Sequence, residues 1–129
     1  ALAFGCDGLI LSDDCPDLYS PKVLRAAMGG VFRQPVLVSR DLPELIRSMR
    51  EKGIDTLAAA LDRSAMTSDE ARLDRDGVAV VIGNEGSGLS TEMIEACGKT
   101  VFIPISARSE SLNASVAASI FLWEMRRRG

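Results

Sequence analysis

The sequence predicts an α/β fold in which a parallel sheet is flanked by helices. Short runs that are apolar at every position, such as residues 78–82, alternate with longer segments of helical periodicity. The 129 residues are 47% apolar, which is enough to bury the core of one domain. Polar loops follow the last two apolar runs, at the strand ends where α/β folds build ligand sites.

Five strands and four helices follow from this pattern. The strands are expected at residues 9–11, 36–38, 57–61, 78–82 and 101–103. The helices are expected after Ser20, after Asp41, at residues 91–97 and at about residues 111–128. Residues 62–76 are mostly polar and are expected to form a surface loop that can hold a short helical turn.

Composition excludes several kinds of chemistry. The chain has no histidine, which rules out imidazole bases, catalytic pairs built on histidine and histidine-ligated metals within it. Cys6, Cys15 and Cys97 lack C-x-x-C spacing, so no metal is expected. The net charge of −3 argues against binding RNA through bulk charge but leaves room for a local basic patch. No signal peptide or membrane-spanning run is evident, and a cytoplasmic protein is expected.

The loop at residues 83–88 reads Gly-Asn-Glu-Gly-Ser-Gly. Its glycines let the backbone approach a ligand closely, because no Cβ stands in the way. The loop lacks the lysine of a phosphate-binding P-loop, and its glycine spacing differs from that of a dinucleotide-binding fold. A turn that needs glycine only for its backbone geometry is the alternative interpretation.

A second loop strengthens the prediction of a ligand site. Residues 106–115 contain four serines and one asparagine but few side chains that could fill a core. This composition favours a set of hydrogen-bond donors and acceptors that face a cavity. Both loops are expected to leave the carboxyl ends of neighbouring strands.

The two loops together resemble a known family. I-G-N-E-G-S-G-L-S, then I-P-I and S-L-N-A-S-V-A-A-S-I-F-L-W-E, are similar to the second and third motifs of the SpoU (TrmH-like) branch of the SPOUT methyltransferases. A-F-G-C-D-G-L-I-L near the start and R-A-A-M-G-G-V-F-R-Q-P-V at residues 25–36 extend the resemblance over nearly the whole chain. It implies methylation of a ribose 2′-hydroxyl in structured RNA, either tRNA or rRNA, with S-adenosylmethionine as cofactor.

The resemblance also implies a SPOUT-type architecture and a homodimer. In such proteins the C-terminal part of the parallel sheet is tied in a deep trefoil knot, an exception to the rule that chains do not thread loops. The last predicted helix carries Leu112, Val116, Ile120 and Trp123 on one stripe. That stripe suits either a face for a second copy or the core of the chain itself.

The family's cofactor-binding positions fall on Gly83, Ile103 and Leu112 of this sequence. A small residue permits contact with the backbone, and two branched aliphatic side chains can enclose a flat purine. For Ile103 and Leu112, ordinary core packing is the alternative.

The family's polar active-site positions fall on Glu85, Ser111 and Asn113. A ribose hydroxyl is a poor nucleophile, so it must be oriented and must lose its proton during attack. Ser111 and Asn113 can orient the ribose or hold the loops together, and Glu85 can bind a hydroxyl or position a cation. The alternatives are a surface ion pair for Glu85 and a helix cap for Asn113.

Three arginines are the candidates for contact with RNA, by their position relative to the motifs: Arg25, Arg33 and Arg108. Relatives carry a first motif of the form N-x-G-x-x-x-R, whose arginine is catalytic, immediately before the segment that begins here at Ala1. We therefore expect residues 1–129 to be a SpoU-type methyltransferase domain truncated at its N-terminus, without that motif or any N-terminal RNA-binding domain. Cofactor binding is expected to survive this truncation, and methyl transfer to be lost or impaired.

Two other functions fit the same residues. One is a non-catalytic RNA-binding or dimerisation module that retains the knotted fold, and it would give no melting shift with the cofactor. The other is a general nucleotide-binding α/β domain, which would prefer a phosphorylated ligand to S-adenosylhomocysteine.

Overall fold

The structure is a computed structural model that describes residues 1–84 and 86–126. The chain divides into two compact units, Ala1–Leu42 and Pro43–Gly129. Every pair of strands in the described residues is parallel, which confirms the predicted α/β class with flanking helices. The strands lie in two sheets, whereas the sequence suggested one.

The first unit contains one two-stranded sheet, formed by β1 (Leu9–Ser12) and β2 (Val36–Ser39), and the helix α1 (Pro21–Ala27) between them. Short 3-10 turns lie at Leu2–Phe4 and Gly30–Phe32. The helix begins as predicted, because the Ser20 Oγ accepts a hydrogen bond from the Val23 N–H at 3.4 Å.

The second unit contains a four-stranded sheet, whose elements in chain order are β3 (Asp55–Ala59), β4 (Met66–Thr67), β5 (Val78–Val81) and β6 (Lys99–Phe102). The strands lie side by side in the order β4-β6-β3-β5. The helices α3 (Thr91–Cys97) and α4 (Ala114–Arg126) belong to this unit, as does α2 (Leu42–Glu51) apart from its first residue. The strand β4 lies inside the polar segment 62–76, where only a loop was expected, because two residues that pair with β6 give too short a pattern to read.

The core of the second unit forms where α4 covers the central strands. Leu57 of β3 and Val101 of β6 are fully buried, and Phe121 of α4 packs against them. Ala117 and Met125 lie one helical turn on either side of Phe121 and pack on the same cluster. The buried face of α4 is therefore this row, and Val116 and Trp123 of the predicted stripe are exposed.

Candidate active site

Two loops leave the same edge of the four-stranded sheet. Because its strands are parallel, the loops after β5 and after β6 both begin at the carboxyl edge. The register places Val81 and Thr100 level with Ala58, one on each side of it. The expectation that these strands are neighbours is wrong, because β3 lies between them and separates them by roughly 10 Å.

The described residues of the glycine-rich loop, 83–84 and 86–88, fold back on one another. The side-chain Oδ1 of Asn84 accepts hydrogen bonds from the N–H groups of Gly86 and Ser87, at 2.9 and 2.7 Å, and from the Ser87 hydroxyl at 3.1 Å. The Gly88 N–H donates to the Asn84 carbonyl at 3.1 Å. Asn84 therefore holds residues 86–88 in a compact turn.

Gly83 is required by the way this loop closes. A Cβ at residue 83 would stand 2.3 Å from the carbonyl carbon of Gly88 and 2.7 Å from the backbone nitrogen of Leu89. Both are main-chain atoms, which cannot swing away as a side chain does. The closure of the loop therefore requires glycine at residue 83.

The serine-rich loop, which follows β6, has a half-buried aliphatic residue near each end. Ile103 follows β6 directly and is half-buried, with its side chain packed on the core cluster. Leu112 is also half-buried, at the far end of the loop. Between them the Ser109 hydroxyl donates to the Ser111 carbonyl at 3.2 Å, and the Ser111 side chain is exposed.

Asn113 caps α4. Its Oδ1 accepts hydrogen bonds from the Ser115 N–H at 2.9 Å and from the Val116 N–H at 3.4 Å, and its own carbonyl accepts the first helical bond from Ala117. This is the arrangement of an N-cap residue. The cap, which the sequence left as an alternative, is present, and it fixes where the serine-rich loop joins the helix.

The remaining predicted site residues are Glu85 and three arginines. Glu85 lies outside the described residues. Arg25, Arg33 and Arg108 are all exposed, the first two in the first unit and the third in the serine-rich loop. In the described part of the chain, no group of three or more cysteine, aspartate and glutamate side chains is placed to hold a metal ion. No described helix is long and apolar enough to cross a bilayer.

Asp62 is a carboxylate near this edge that the sequence did not single out. Its Oδ1 accepts hydrogen bonds from the Ser64 hydroxyl and the Thr100 hydroxyl, each at 2.9 Å. These bonds, with that from Ser64 first, hold the pKa of Asp62 below its ordinary value. The side chain thus ties the loop after β3 to β6. Its place directly after an apolar run was the signal that could have found it.

A different charge cluster lies at the opposite, amino edge of the sheet. Asp55 pairs there with Lys99, whose Nζ is 2.9 Å from Oδ1, and with Arg75. Burial alone would raise the pKa of Asp55, but the hydrogen bonds and charges of these two cations outweigh it and lower the pKa. Behind this cluster, burial raises the pKa of the Cys97 thiol to about 11.

The residues at the carboxyl edge fit a flat, uncharged ring system such as a purine. The glycine-rich loop exposes main-chain groups there, since Gly86 and Gly88 carry no side chain and are exposed. Ile103 and Leu112 are aliphatic and only half-buried, so part of each remains available for apolar contact. The carboxyl edge of a parallel sheet is where α/β domains generally bind small organic ligands, and the loops at this edge carry exposed main-chain groups and aliphatic side chains.

Comparison of the chain with known proteins identifies its family. The model of the family described as "SpoU rRNA Methylase family" matches residues 1–123 of the chain. The chain belongs to this family, as its sequence motifs indicated.

Individual relatives cover the same span. The chain is 32% identical over 124 residues to the 23S rRNA (guanosine(2553)-2′-O)-methyltransferase of Bacillus subtilis, and the match covers 96% of the chain and 49% of that protein. The crystal structure of an AdoMet-bound rRNA methyltransferase from Sinorhizobium meliloti matches with a TM-score of 0.87 and 32% identity over 97% of the chain and 47% of that protein. The SpoU methyltransferase AviRb from Streptomyces viridochromogenes, in complex with AdoMet, matches with a TM-score of 0.75 and 30% identity over 97% of the chain and 51% of that protein. The chain thus spans about half the length of these relatives.

Proposed function

We propose that the protein containing this chain transfers the methyl group of S-adenosylmethionine to a ribose 2′-hydroxyl of rRNA or tRNA. The observation that carries the proposal is the pair of loops at one sheet edge, in a chain of the SpoU family. Two relatives support the chemistry, since one is named as a 2′-O-methyltransferase of 23S rRNA and another contains AdoMet.

Cofactor binding is assigned to Gly83, Ile103 and Leu112. The Gly83 loop offers main-chain donors and acceptors to an adenine, and the two aliphatic side chains offer walls for its faces. When bound, S-adenosylmethionine supplies a methyl group on a positively charged sulfur.

The chain's own groups then have to position the ribose and manage its proton. The hydroxyl oxygen forms a bond to the methyl carbon while the carbon–sulfur bond breaks, and the hydroxyl proton leaves to a base. The exposed Ser111 hydroxyl, on a loop whose backbone Ser109 fixes, is assigned to orient the ribose. Glu85 is assigned to bind a hydroxyl or to hold a cation beside it. Asn113 is assigned a positioning role, because its side chain caps α4 and so fixes the end of the Ser111 loop.

The proposal includes the architecture that the family resemblance implies. We propose that the carboxyl-terminal part of the chain forms a deep trefoil knot, supported by the likeness to SpoU structures over 97% of the chain. We also propose a homodimer, supported by the exposed Val116 and Trp123 on the face of α4 opposite the core. Residues 1–129 form the methyltransferase domain in this proposal. The cytoplasm, where rRNA and tRNA are found, is its proposed location.

RNA contact is assigned to Arg25, Arg33 and Arg108. All three guanidinium groups lie on exposed residues, as contact with phosphates requires. Because phosphate contacts release counterions, RNA affinity should fall as the salt concentration rises.

Calorimetry and methyl incorporation test the proposal together. We expect S-adenosylhomocysteine to bind the chain and ATP not to bind. Methyl incorporation into rRNA and tRNA is then measured with the chain alone and with the chain preceded by the residues encoded upstream of Ala1. Ser111→Ala should lower the incorporation rate at unchanged cofactor affinity, and Ser119→Ala, which removes an exposed α4 hydroxyl bonded to the Ser115 carbonyl, should not. Binding of ATP in place of S-adenosylhomocysteine, or no incorporation by either form, would refute the proposed activity.

A further inference from the structure

Two aromatic rings of the first unit lie exposed beside each other. Tyr19 is 62% exposed and Phe32 is 72% exposed. Their ring centroids are 6.4 Å apart and their planes differ by 31°. We name this pair the aromatic platform. An exposed pair of rings is unusual on a protein surface, because aromatic side chains are among those that gain most from burial.

The backbone beside both rings is hydrogen-bonded. Phe32 ends a 3-10 turn in which the N–H groups of Arg33 and Gln34 donate to the Gly30 carbonyl, at 3.0 and 2.8 Å. Gln34 itself is buried and donates from Nε2 to the Cys6 carbonyl at 3.1 Å. On the other side, the Tyr19 N–H donates to the Asp17 carboxylate at 3.0 Å. Hydrogen bonds therefore order the backbone from which both rings project.

Positive charge flanks the platform. Lys22 and Arg25 are exposed on α1, three residues apart, and so lie on one side of that helix. Arg33, also exposed, directly follows Phe32. The nearest acidic residue along the chain, Asp17, already accepts the hydrogen bond from the Tyr19 N–H.

We propose that the aromatic platform stacks an unpaired base of the RNA substrate while Lys22, Arg25 and Arg33 contact the flanking phosphates. This inference rests on the proposed function and adds that the RNA is bound as an unpaired, splayed-out strand. Flat rings suit base faces of any sequence, and adjacent cations suit the backbone that carries them. A protein partner fits less well, because the core of a protein interface is depleted of lysine and needs roughly 800 Å² on each side.

Fluorescence anisotropy tests the platform with two probes of equal length. One is a fluorescein-labelled 12-nucleotide single-stranded RNA of mixed sequence, and the other is the same strand paired with its complement. Phe32→Ala and Tyr19→Ala should each weaken single-strand binding about 5- to 140-fold, the range for one lost base–aromatic stack. Duplex binding should change less than twofold, and Phe32→Tyr should retain single-strand binding. The matched control is Leu37→Ala, which removes an exposed apolar side chain of the same unit without removing a ring.

The cations should act differently from the rings. Arg33→Gln should lower the slope of log affinity against log salt by roughly 0.7, as expected for one lost phosphate contact on a single strand. Phe32→Ala should leave that slope unchanged. If Phe32→Ala binds the single strand as tightly as the parent, or instead converts a dimer into a monomer in sedimentation, the platform proposal is wrong. If the parent chain binds neither RNA nor S-adenosylhomocysteine, it is the proposed function that fails.

Discussion

Gly83→Ala is the sharpest test of the loop geometry at the candidate site. The added Cβ would lie 2.3 Å from the Gly88 carbonyl carbon, more than 1 Å inside the ordinary carbon–carbon contact of about 3.5 Å. Main-chain atoms meet it on one side, so the loop must open. Overpacking of this kind costs about 1–3 kcal/mol. Opening also breaks the bonds that Asn84 makes to Gly86 and Ser87. We therefore expect a total of about 3 kcal/mol.

Two other glycines of the same loop supply graded controls. A Cβ at Gly86 would meet only the Asn84 Oδ1, at an ordinary 3.6 Å, so Gly86→Ala should cost little. Gly88 has φ 65° and open space around it, so Gly88→Ala should cost about 1–2 kcal/mol for the left-handed backbone. Urea denaturation should show the smallest loss of stability for Gly86→Ala, a larger one for Gly88→Ala and the largest for Gly83→Ala. The melting temperature of Gly83→Ala should be roughly 10 °C below that of the parent. If Gly83→Ala proves as stable as Gly86→Ala, the loop does not close as described.

Three further predictions concern single groups. Asn113→Ala should lower the free energy of unfolding by about 0.5–2 kcal/mol through loss of the α4 cap. Asn113→Asp keeps a capping oxygen, so it should retain most of that stabilisation; urea denaturation measures both variants. The folded-state pKa of Asp55 lies below its ordinary value of 3.8, so its pairing stabilises the fold above that pH and is lost as the pH falls through the lowered value. Asp55→Asn should flatten the pH dependence of stability in that acidic window, and a parent-like acid profile in the variant would contradict this assignment. The buried Cys97, with its pKa near 11, should resist iodoacetamide at pH 8 until the protein is unfolded, whereas the exposed Cys15 should react at once; mass spectrometry of the peptides distinguishes them.

Local chemistry made much of the fold predictable. Ser20 caps the helix that was expected after it, and Ser90 caps α3, because a serine hydroxyl can accept a bond from an unpaired N–H of the first helical turn. The end of α3 at Gly98 was also readable, since its φ of 79° suits glycine and few other residues.

What the sequence could not give is the arrangement of elements distant along the chain. Nothing in the local pattern around Leu57 says that its strand lies between β5 and β6, because pairing partners are chosen by the packing of the whole sheet. The stripe on α4 left two alternatives open for a related reason. Val116 and Trp123 have the same periodicity as a core face, and only the position of Phe121 against the sheet decides which side is buried.

At the candidate site, residue types were more informative than geometry. The half-buried Ile103 and Leu112 were predictable as apolar loop ends, and the cap by Asn113 was one of two foreseen roles. Asp62 was overlooked, because its hydrogen bond with Thr100 joins residues 38 positions apart and cannot be predicted from the local sequence pattern. The contact between Gly83 and the Gly88 backbone was likewise invisible, because it depends on how the loop turns back.

The central position of β3 has a consequence for how the protein is made. Leu57 pairs on one side with Val80 and on the other with Lys99, which the ribosome adds 42 residues later. During synthesis, β3 therefore waits with unpaired backbone on at least one edge until β6 has emerged, which is the situation that invites aggregation and slows folding. The loop after β6 begins beside that same strand, so it cannot take its final place earlier. Pairing of β6 with β3 and final placement of the serine-rich loop should thus be a single kinetic event.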